Sequence, residues 1–232
     1  EAYKPDALKI YPTTVIRGTG LWGMWRAGKY KPISTEQACD IILETKKHVP
    51  KWCRIMRVQR DIPSTEINAG PSLNNLRQMI HKKMEERGVC CKCIRCREPK
   101  EQEVDWKSAT LEREDYLASE GREIFLSYTD KKNDYLLGFL RLRIIPESHR
   151  PEIRAGSAGI RELHVYGSST SLGCEGKVQH RGIGKMLMAE AEKIAKEEFK
   201  CKKITVIAGI GVREYYYKLG YKKDGPYVSK NL

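Results

Sequence analysis

The segment QHRGIGKMLMAEAEKIAKEE, residues 179–198, decides the fold of the second half of this chain. Its apolar residues recur at intervals of three and four, which is the spacing of one helix face, and charged residues occupy the other face. The pattern predicts an amphipathic helix from Gly182 to Lys200. The apolar members of the face are Ile183, Leu187, Ala191 and Ile194.

The start of this helix has the residue types of an anion site. Gly182 and Gly184 let the backbone approach a ligand closely, and the free N–H groups of a first helical turn favour negative charge. We therefore expect a pyrophosphate there. The glycine pattern alone is a weak signal, because a glycine-rich helix start often serves packing. It also lacks the third glycine of a dinucleotide fingerprint and the Lys-Ser/Thr ending of a P-loop.

The flanking segments predict a mixed sheet covered by helices. REIFLSYTD and DYLLGFLRLRII are typical of a β-hairpin, IRELHVYG of a strand before the long helix, and KITVIAGI of a buried strand after it. VREYYYKLG predicts a short helix ending at Gly220, and GPYVS a last strand. TLEREDYLASEG, residues 109–120, predicts a helix closed by Gly121. This order of elements indicates an α+β or α/β mixed fold.

Composition excludes several classes of protein. The chain has 232 residues, a 40% hydrophobic share and a net charge of +13, so it holds enough apolar surface to fold. No apolar run approaches the ~18 residues of a membrane span, and the N-terminus lacks the pattern of a signal peptide. We therefore expect a cytoplasmic protein that does not bind membranes, with reduced cysteines. The initial Glu suggests that the chain derives from a longer polypeptide.

The positive charge is concentrated in the first part of the chain. Residues 1–100 carry 20 Lys and Arg against 10 Asp and Glu, whereas residues 101–232 carry 23 against 20. The run from Lys46 to Arg60 holds six cations, one Trp and no acid. Such a run fits a phosphate backbone, although a solvated basic face is the simpler interpretation. The boundary between the two parts is expected near residues 98–106.

Four of the 8 cysteines lie in GVCCKCIRC. Cys91, Cys93 and Cys96 form C-x-C-x-x-C, which suits tetrahedral zinc; an iron–sulfur cluster and free thiols are the alternatives. Cys90 can hardly share an ion with its neighbour without strain. A fourth ligand could therefore be His81 or a residue from elsewhere.

The order strand, Gln-x-x-Gly-x-Gly, long helix, strand and Tyr-x-x-x-Gly-Tyr resembles the GCN5-related N-acetyltransferase family. The resemblance implies an acetyl-CoA site. Its pyrophosphate would be held by Gln179, Arg181, Gly182, Ile183, Gly184 and Lys185. Its pantetheine and thioester would align with backbone groups of Glu162, Leu163, His164 and Val165.

Tyr216 matches the tyrosine that protonates the departing CoA thiolate in many relatives. A phenol with a pKa near 10 can donate that proton at neutral pH. Simple cofactor contact and core packing are the alternatives for Tyr216. His164 and Glu162 would share one face of their strand and are candidate general bases for an amine; a histidine hydrogen-bonded within the sheet is the alternative.

Longer motifs narrow the resemblance. KPDALKIYPTTVIRGT, RVQRDIP, CKCIRCRE, IRELHVYG and AGIGVREYYYKLGY together resemble the family of Elongator catalytic subunits. That family joins a radical S-adenosylmethionine domain to an acetyltransferase-like domain and modifies carbon 5 of the wobble uridine of tRNA. It uses acetyl-CoA, whose thioester is hydrolysed.

The resemblance implies three segments. Residues 1–88 would be the basic, tRNA-binding end of the radical domain, residues 89–105 a zinc-binding linker, and residues 106–232 the acetyl-CoA domain. The 4Fe-4S ligands that go with S-adenosylmethionine are not in this chain. The tRNA anticodon region would meet Lys51, Arg54, Arg57, Arg60, Arg77, Lys82 and Lys83.

Other partners and functions remain open at this point. Self-association and contacts with other Elongator subunits are both compatible with the resemblance. Two alternative functions are a protein lysine acetyltransferase and a non-catalytic tRNA-binding module with an acyl-CoA sensor site.

Overall fold

The structure is a computed structural model, which describes residues 3–166 and 182–232. The chain divides into two compact units, Pro5–Cys96 and Arg97–Leu232, and the second unit also takes in Tyr3 and Lys4. Among the described residues, no helix is both long enough and apolar enough to cross a bilayer.

The first unit combines short strands with amphipathic helices. Its elements are β1 (Ala7–Lys9), β2 (Val15–Ile16), α1 (Gly20–Arg26), α2 (Thr35–Lys47), β3 (Arg54–Arg57), β4 (Ile67–Ala69) and α3 (Leu76–Glu86). β1 pairs in parallel with β3, and β2 pairs antiparallel with β4. α2 begins at a capping box in which Ser34 and Gln37 satisfy each other's backbone N–H groups. α2 and α3 contribute Ile42, Leu43 and Ile80 to one buried core.

The second unit is built on a seven-stranded mixed sheet. Its elements are β5 (Ala109–Ala118), β6 (Gly121–Asp130), β7 (Tyr135–Ile145), β8 (Ser157–Val165), α4 (Ile183–Lys193), β9 (Lys203–Val206), α5 (Arg213–Tyr217), β10 (Lys222–Asp224) and β11 (Tyr227–Asn231). The strand order is β10-β11-β9-β8-β7-β6-β5, and only β8 and β9 pair in parallel. α4 ends in a π-helical turn, Ile194–Glu198. Its apolar face lies in the same buried core as β6, β7 and β9. The predicted mixed sheet is confirmed.

Residues 109–120, which the sequence predicted to be a helix closed by Gly121, form the edge strand β5 and its turn, so that prediction is wrong. β5 pairs with β6 along its whole length. Ser119 and Glu120 make the two-residue turn with φ values of 48° and 62°. Leu, Glu and Arg favour helices in isolation. Here the backbone pairing with β6 and the burial of alternate side chains outweigh that preference.

Asp130 anchors the turn between β6 and β7. Its buried carboxylate accepts hydrogen bonds from the backbone N–H groups of Asp105 and Lys132 and from the side chains of Ser108 and Asn133, at 2.6–3.0 Å. Burial alone would raise the pKa of this carboxyl group, but these donors lower it to about 2. The turn is therefore held by an ionised group.

We expect Asp130→Asn to destabilise the second unit by about 2–3 kcal/mol at pH 7, because an amide nitrogen would replace one acceptor among buried donors. The depressed pKa stabilises the fold above the unfolded value of ~3.9, and this contribution is lost as the pH falls towards about 2. Urea unfolding at several pH values checks this. The gap between variant and wild type should shrink below pH ~4, while the exposed Asp61→Asn should match wild type throughout.

Candidate functional site

β8 continues beyond its pairing with β9, and we call the edge of β8 that follows Ile160 on this side, which no described strand pairs, the β8 cleft. The two strands pair only over Ser157–Ile160 and Lys203–Val206, yet β8 continues to Val165. On its other side β8 stays paired with β7, and the N–H of Tyr166 bonds to the carbonyl of Leu137. Backbone groups alternate in direction along a strand, so those of Leu163 and Val165 point away from β7 towards the cleft. An extended ligand can therefore add to this side of β8 as an extra strand would.

The N-terminus of α4 lies beside the end of β8. Gly182 precedes the helix with a φ of +78°, a left-handed conformation that favours glycine. The first intrahelical bond runs from the N–H of Met186 to the carbonyl of Gly182, which leaves the earlier N–H groups without helical acceptors. Among the described residues no side chain caps this end, and the first turn of α4 holds no acid. Lys185 is exposed in that turn; Gln179 and Arg181 lie outside the described residues.

At Gly184 the helix α4 lies close to both β8 and α5. A Cβ atom added there would lie 2.8 Å from the hydroxyl oxygen of Tyr215 and 3.7 Å from Cγ2 of Val165. This position therefore requires glycine for spatial reasons. The backbone at the start of α4 therefore lies next to Tyr215 of α5.

The tyrosines of α5 occupy different places. The Tyr215 hydroxyl, next to Gly184, is buried and has no hydrogen-bond partner among the described residues, and burial raises its pKa to about 12. Tyr216, the residue that the sequence singled out, is 7% exposed and packs edge-on against Tyr215 and Tyr221. Burial also raises the pKa of Tyr216. Sequence reasoning missed Tyr215, whose only signal is its place in a run of three tyrosines.

Glu162 and His164 share the face of β8 opposite Leu163, as expected. The Glu162 carboxylate accepts a 2.8 Å hydrogen bond from Nε of Arg141. The guanidinium of the buried Arg141 lies over the rings of Phe125 and Phe139, at 5.3 and 5.4 Å from their centroids. The His164 ring stacks on Phe139 with centroids 5.8 Å apart. The Glu162 carboxylate, a candidate general base, is therefore engaged with a buried arginine.

The cysteine cluster belongs to the first unit. The Sγ atoms of Cys91, Cys93 and Cys96 all lie within 4.8 Å of one another. Thiolates on one tetrahedral zinc would be ~3.8 Å apart, given Zn–S bonds of ~2.3 Å. Hydrogen bonds from Cys91 and Cys96 lower the pKa of the Cys93 thiol, which favours a thiolate. The three side chains therefore fit a zinc ion.

His81 and Cys90 are the two candidates for a fourth zinc ligand. Nε2 of His81, on α3, lies 3.9 Å from the Cys96 sulfur, close to the ~3.6 Å expected for a nitrogen and a sulfur on one zinc. Cys90 is exposed and does not belong to the three-thiol group. The geometry favours His81.

The proposed tRNA contacts do not form one uniform basic surface. Arg77 donates to the carbonyls of Ile55 and Met56, and Lys83 pairs with Glu36 and Asp40 at 2.9 and 3.1 Å. These two cations hold α3 against its neighbours. Lys51 and Arg54 are half-buried and make contacts of their own.

Three of the predicted cations are exposed. Lys82 keeps 79% of its side-chain surface accessible, although it faces Glu86 across 4.0 Å. Arg57 pairs with Asp61, and the guanidinium of Arg60 lies 5.7 Å from the centre of the Tyr11 ring. Arg57, Arg60 and Tyr11 line a surface groove of about 510 Å³ together with Ile16, Asp61 and Ile62. Tyr11 was not among the predicted site residues; its position beside Arg60 emerges only in three dimensions.

The β8 cleft and the glycine-rich start of α4 point to a class of protein that comparison with known families identifies. The chain belongs to the acetyltransferase (GNAT) family, whose model matches residues 91–221. A Radical_SAM C-terminal domain matches residues 5–86.

Within that class the chain is a homologue of Elongator complex protein 3. It is 46% identical to the Danio rerio protein, and the match covers 100% of this chain and 43% of that relative. It is 47% identical to the Saccharomyces cerevisiae protein, and the match covers 99% of this chain and 43% of that relative. The tRNA uridine(34) acetyltransferase of Methanocaldococcus infernus is 49% identical over 99% of this chain and 45% of the relative.

A solved structure agrees with the family. The archaeal Methanocaldococcus infernus Elp3 with an N-terminal deletion superimposes with a TM-score of 0.91 at 49% identity, over 98% of this chain and 56% of that chain. The chain spans less than half the length of the curated relatives that it matches.

Proposed function

We propose that this chain is the acetyl-CoA-binding part of an enzyme that modifies uridine 34 of tRNA at carbon 5. The observation that carries the proposal is the junction of the β8 cleft with the N-terminus of α4. The uncapped N–H groups of Ile183, Gly184 and Lys185 would hold the pyrophosphate of CoA, with Gln179, Arg181 and Gly182 completing the loop. Glu162, Leu163, His164 and Val165 would line the pantetheine, with backbone bonds from Leu163 and Val165.

The proton for the departing thiolate would come from the tyrosines of α5. A tyrosine is protonated at neutral pH and can donate its proton to a thiolate formed nearby. Tyr215 suits this role because its hydroxyl lies at Gly184 and has no other partner among the described residues. Tyr216 would support Tyr215 by edge-on packing or share the cofactor contact. Hydrolysis adds water to the thioester and releases acetate and CoA.

The tRNA would bind chiefly to the first unit. This part holds most of the excess positive charge, and the Tyr11–Arg60 pair offers a surface on which a base can stack. The relative from Methanocaldococcus infernus is named a tRNA uridine(34) acetyltransferase, which motivates the same substrate here. The segments 1–88, 89–105 and 106–232 remain our proposed division into radical-domain end, zinc linker and acetyl-CoA domain. The boundary between the two compact units, at Cys96 and Arg97, lies inside the middle segment.

We infer that the cysteine cluster binds zinc through Cys91, Cys93, Cys96 and His81. A closed site of three thiolates and one imidazole is typical of structural zinc, which would tie α3 to the turn Ile94–Cys96. Other Elongator subunits and a second copy of the chain are the further partners we propose.

A tRNA-stimulated acetyl-CoA hydrolysis assay tests the function. Acetate release from labelled acetyl-CoA should rise when tRNA is added. Tyr215→Phe should lower the rate about 100-fold with little change in acetyl-CoA affinity, because only the donated proton is lost. Tyr216→Phe should cost less, and Tyr217→Phe should have no effect. Acetylation of lysine peptides that is indifferent to tRNA would instead support a protein acetyltransferase.

Tight tRNA binding with no turnover in wild type would favour the non-catalytic alternative. The ion pair between Glu162 and Arg141 speaks against the lysine acetyltransferase, which needs a free base. An Arg141→Met variant would release that carboxylate and serves as a check. It should not create lysine acetylation if Glu162 has no role as a base.

Salt titration of tRNA binding tests the basic surface. Each of Arg57→Ala, Arg60→Ala and Lys82→Ala should weaken binding and reduce the slope of log affinity against log salt by about one phosphate contact. Tyr11→Ala should weaken binding without changing the slope, since stacking releases no counterion. Lys196→Ala, an exposed cation of the second unit, is the matched control. Equal slopes for all variants would place the tRNA elsewhere.

A further inference from the structure

Lys46 is a buried cation that the proposed function does not use. It lies in the last turn of α2 and is 1% exposed, although lysine is rarely buried without a partner. Its Nζ atom lies 3.2 Å from Sγ of Cys96. Among the described residues, no carboxylate forms an ion pair with it. The charge of this ammonium must therefore be balanced by the cysteine cluster.

The contact with the cluster is made by Lys46 and not by its neighbour along the chain. Neighbouring Lys47 has a different environment: it is 39% exposed and pairs with Glu44 at 2.6 Å.

We propose that Lys46 is a positioning residue of the metal site, which donates an N–H···S hydrogen bond to the Cys96 thiolate and supplies the countercharge of the cluster. This inference rests on the zinc proposal. A divalent ion with three thiolates carries one net negative charge, and a neutral His81 does not change it. One ammonium cancels that charge. In a buried site an uncompensated charge is costly, so the cation should strengthen metal binding.

The same arrangement has a second consequence for the sulfur. A hydrogen bond draws electron density from a thiolate and lowers its nucleophilicity, so Lys46 should also protect Cys96 from alkylation while the metal is bound. It would orient this ligand towards the shared ion as well. Lys46 would thus join α2 to a metal site whose ligands come from α3 and from the segment after it.

The test is a zinc competition assay on the whole chain with a chromogenic chelator. Lys46→Met keeps the length and apolar stem of the side chain but removes the charge and the donor. We expect its zinc affinity to fall about 10- to 100-fold, the range found for residues that support metal ligands. Lys46→Arg should stay within about threefold of wild type, and Lys47→Met should match it.

Cobalt substitution supplies a readout that a purely structural role would not change. The thiolate-to-cobalt charge-transfer band should shift to lower energy in Lys46→Met, because the sulfur loses its hydrogen bond, while the tetrahedral d–d bands remain. Unchanged affinity together with an unchanged band would overturn the proposal. If Lys46→Met does not fold, Lys46→Gln takes its place, since glutamine keeps a hydrogen-bond donor but removes the charge. Wild-type zinc affinity in Lys46→Gln would also overturn the proposal. A wild-type chain that binds no zinc would refute the zinc proposal itself.

Discussion

Replacing Cys93 by Ser is expected to abolish stoichiometric zinc binding and to unfold the first unit at a much lower temperature. Cys93 is fully buried, and its sulfur is within 4.8 Å of the other two cluster sulfurs. Metal binding to such a site contributes directly to folding free energy, because the unfolded chain does not hold the ligands together. A loss of about 3 kcal/mol or more would lower the unfolding midpoint of a unit this size by at least ~12 °C.

Differential scanning calorimetry with metal analysis checks this expectation. A chelator added to wild type should reproduce the shift, and the transition of the second unit should stay in place. Cys90→Ser is the matched control, since Cys90 is the exposed neighbour of the cluster and should leave both metal content and stability unchanged. Full zinc occupancy in Cys93→Ser would rule out the three-thiol site.

Replacing Gly184 by Val is expected to weaken acetyl-CoA binding about 100-fold, or ~2.7 kcal/mol. A first side-chain carbon would already stand 2.8 Å from the Tyr215 hydroxyl, and the valine methyl groups add further bulk. Either the first turn of α4 or Tyr215 must then move. If the first turn of α4 moves, its backbone N–H groups no longer point at the pyrophosphate. Isothermal titration calorimetry with acetyl-CoA measures the loss.

A double-mutant cycle separates this clash from a general loss of structure. Gly184→Ala should bind poorly in the wild-type background but well when combined with Tyr215→Phe, because the nearest atoms are then at an ordinary 3.7 Å. Gly23→Ala is the control, since an added carbon in α1 meets no atom within 4 Å. Wild-type acetyl-CoA affinity in a folded Gly184→Val protein would exclude the N-terminus of α4 as the pyrophosphate site.

Local patterns in the sequence predicted the elements of the second unit from β6 onwards, except the short strand β10. The three-and-four spacing of apolar residues identified α4, and strand-like segments between polar or glycine-containing turns identified β6, β7, β8 and β9. These signals are strong because each element buries one whole face. β5 escaped prediction because an edge strand has fewer buried positions, and its Glu, Arg and Leu residues favour a helix when considered alone.

The sequence by itself determined which chemical groups the sites hold: a glycine-rich helix start, a run of tyrosines and three closely spaced cysteines. Only the tertiary structure decided which of these residues contact one another and which other residues they contact. It placed Tyr215 rather than Tyr216 at Gly184, engaged Arg77 and Lys83 within the protein, and brought Lys46 to the sulfur of Cys96. Local spacing is set by backbone geometry, whereas contacts between distant residues depend on how whole elements pack.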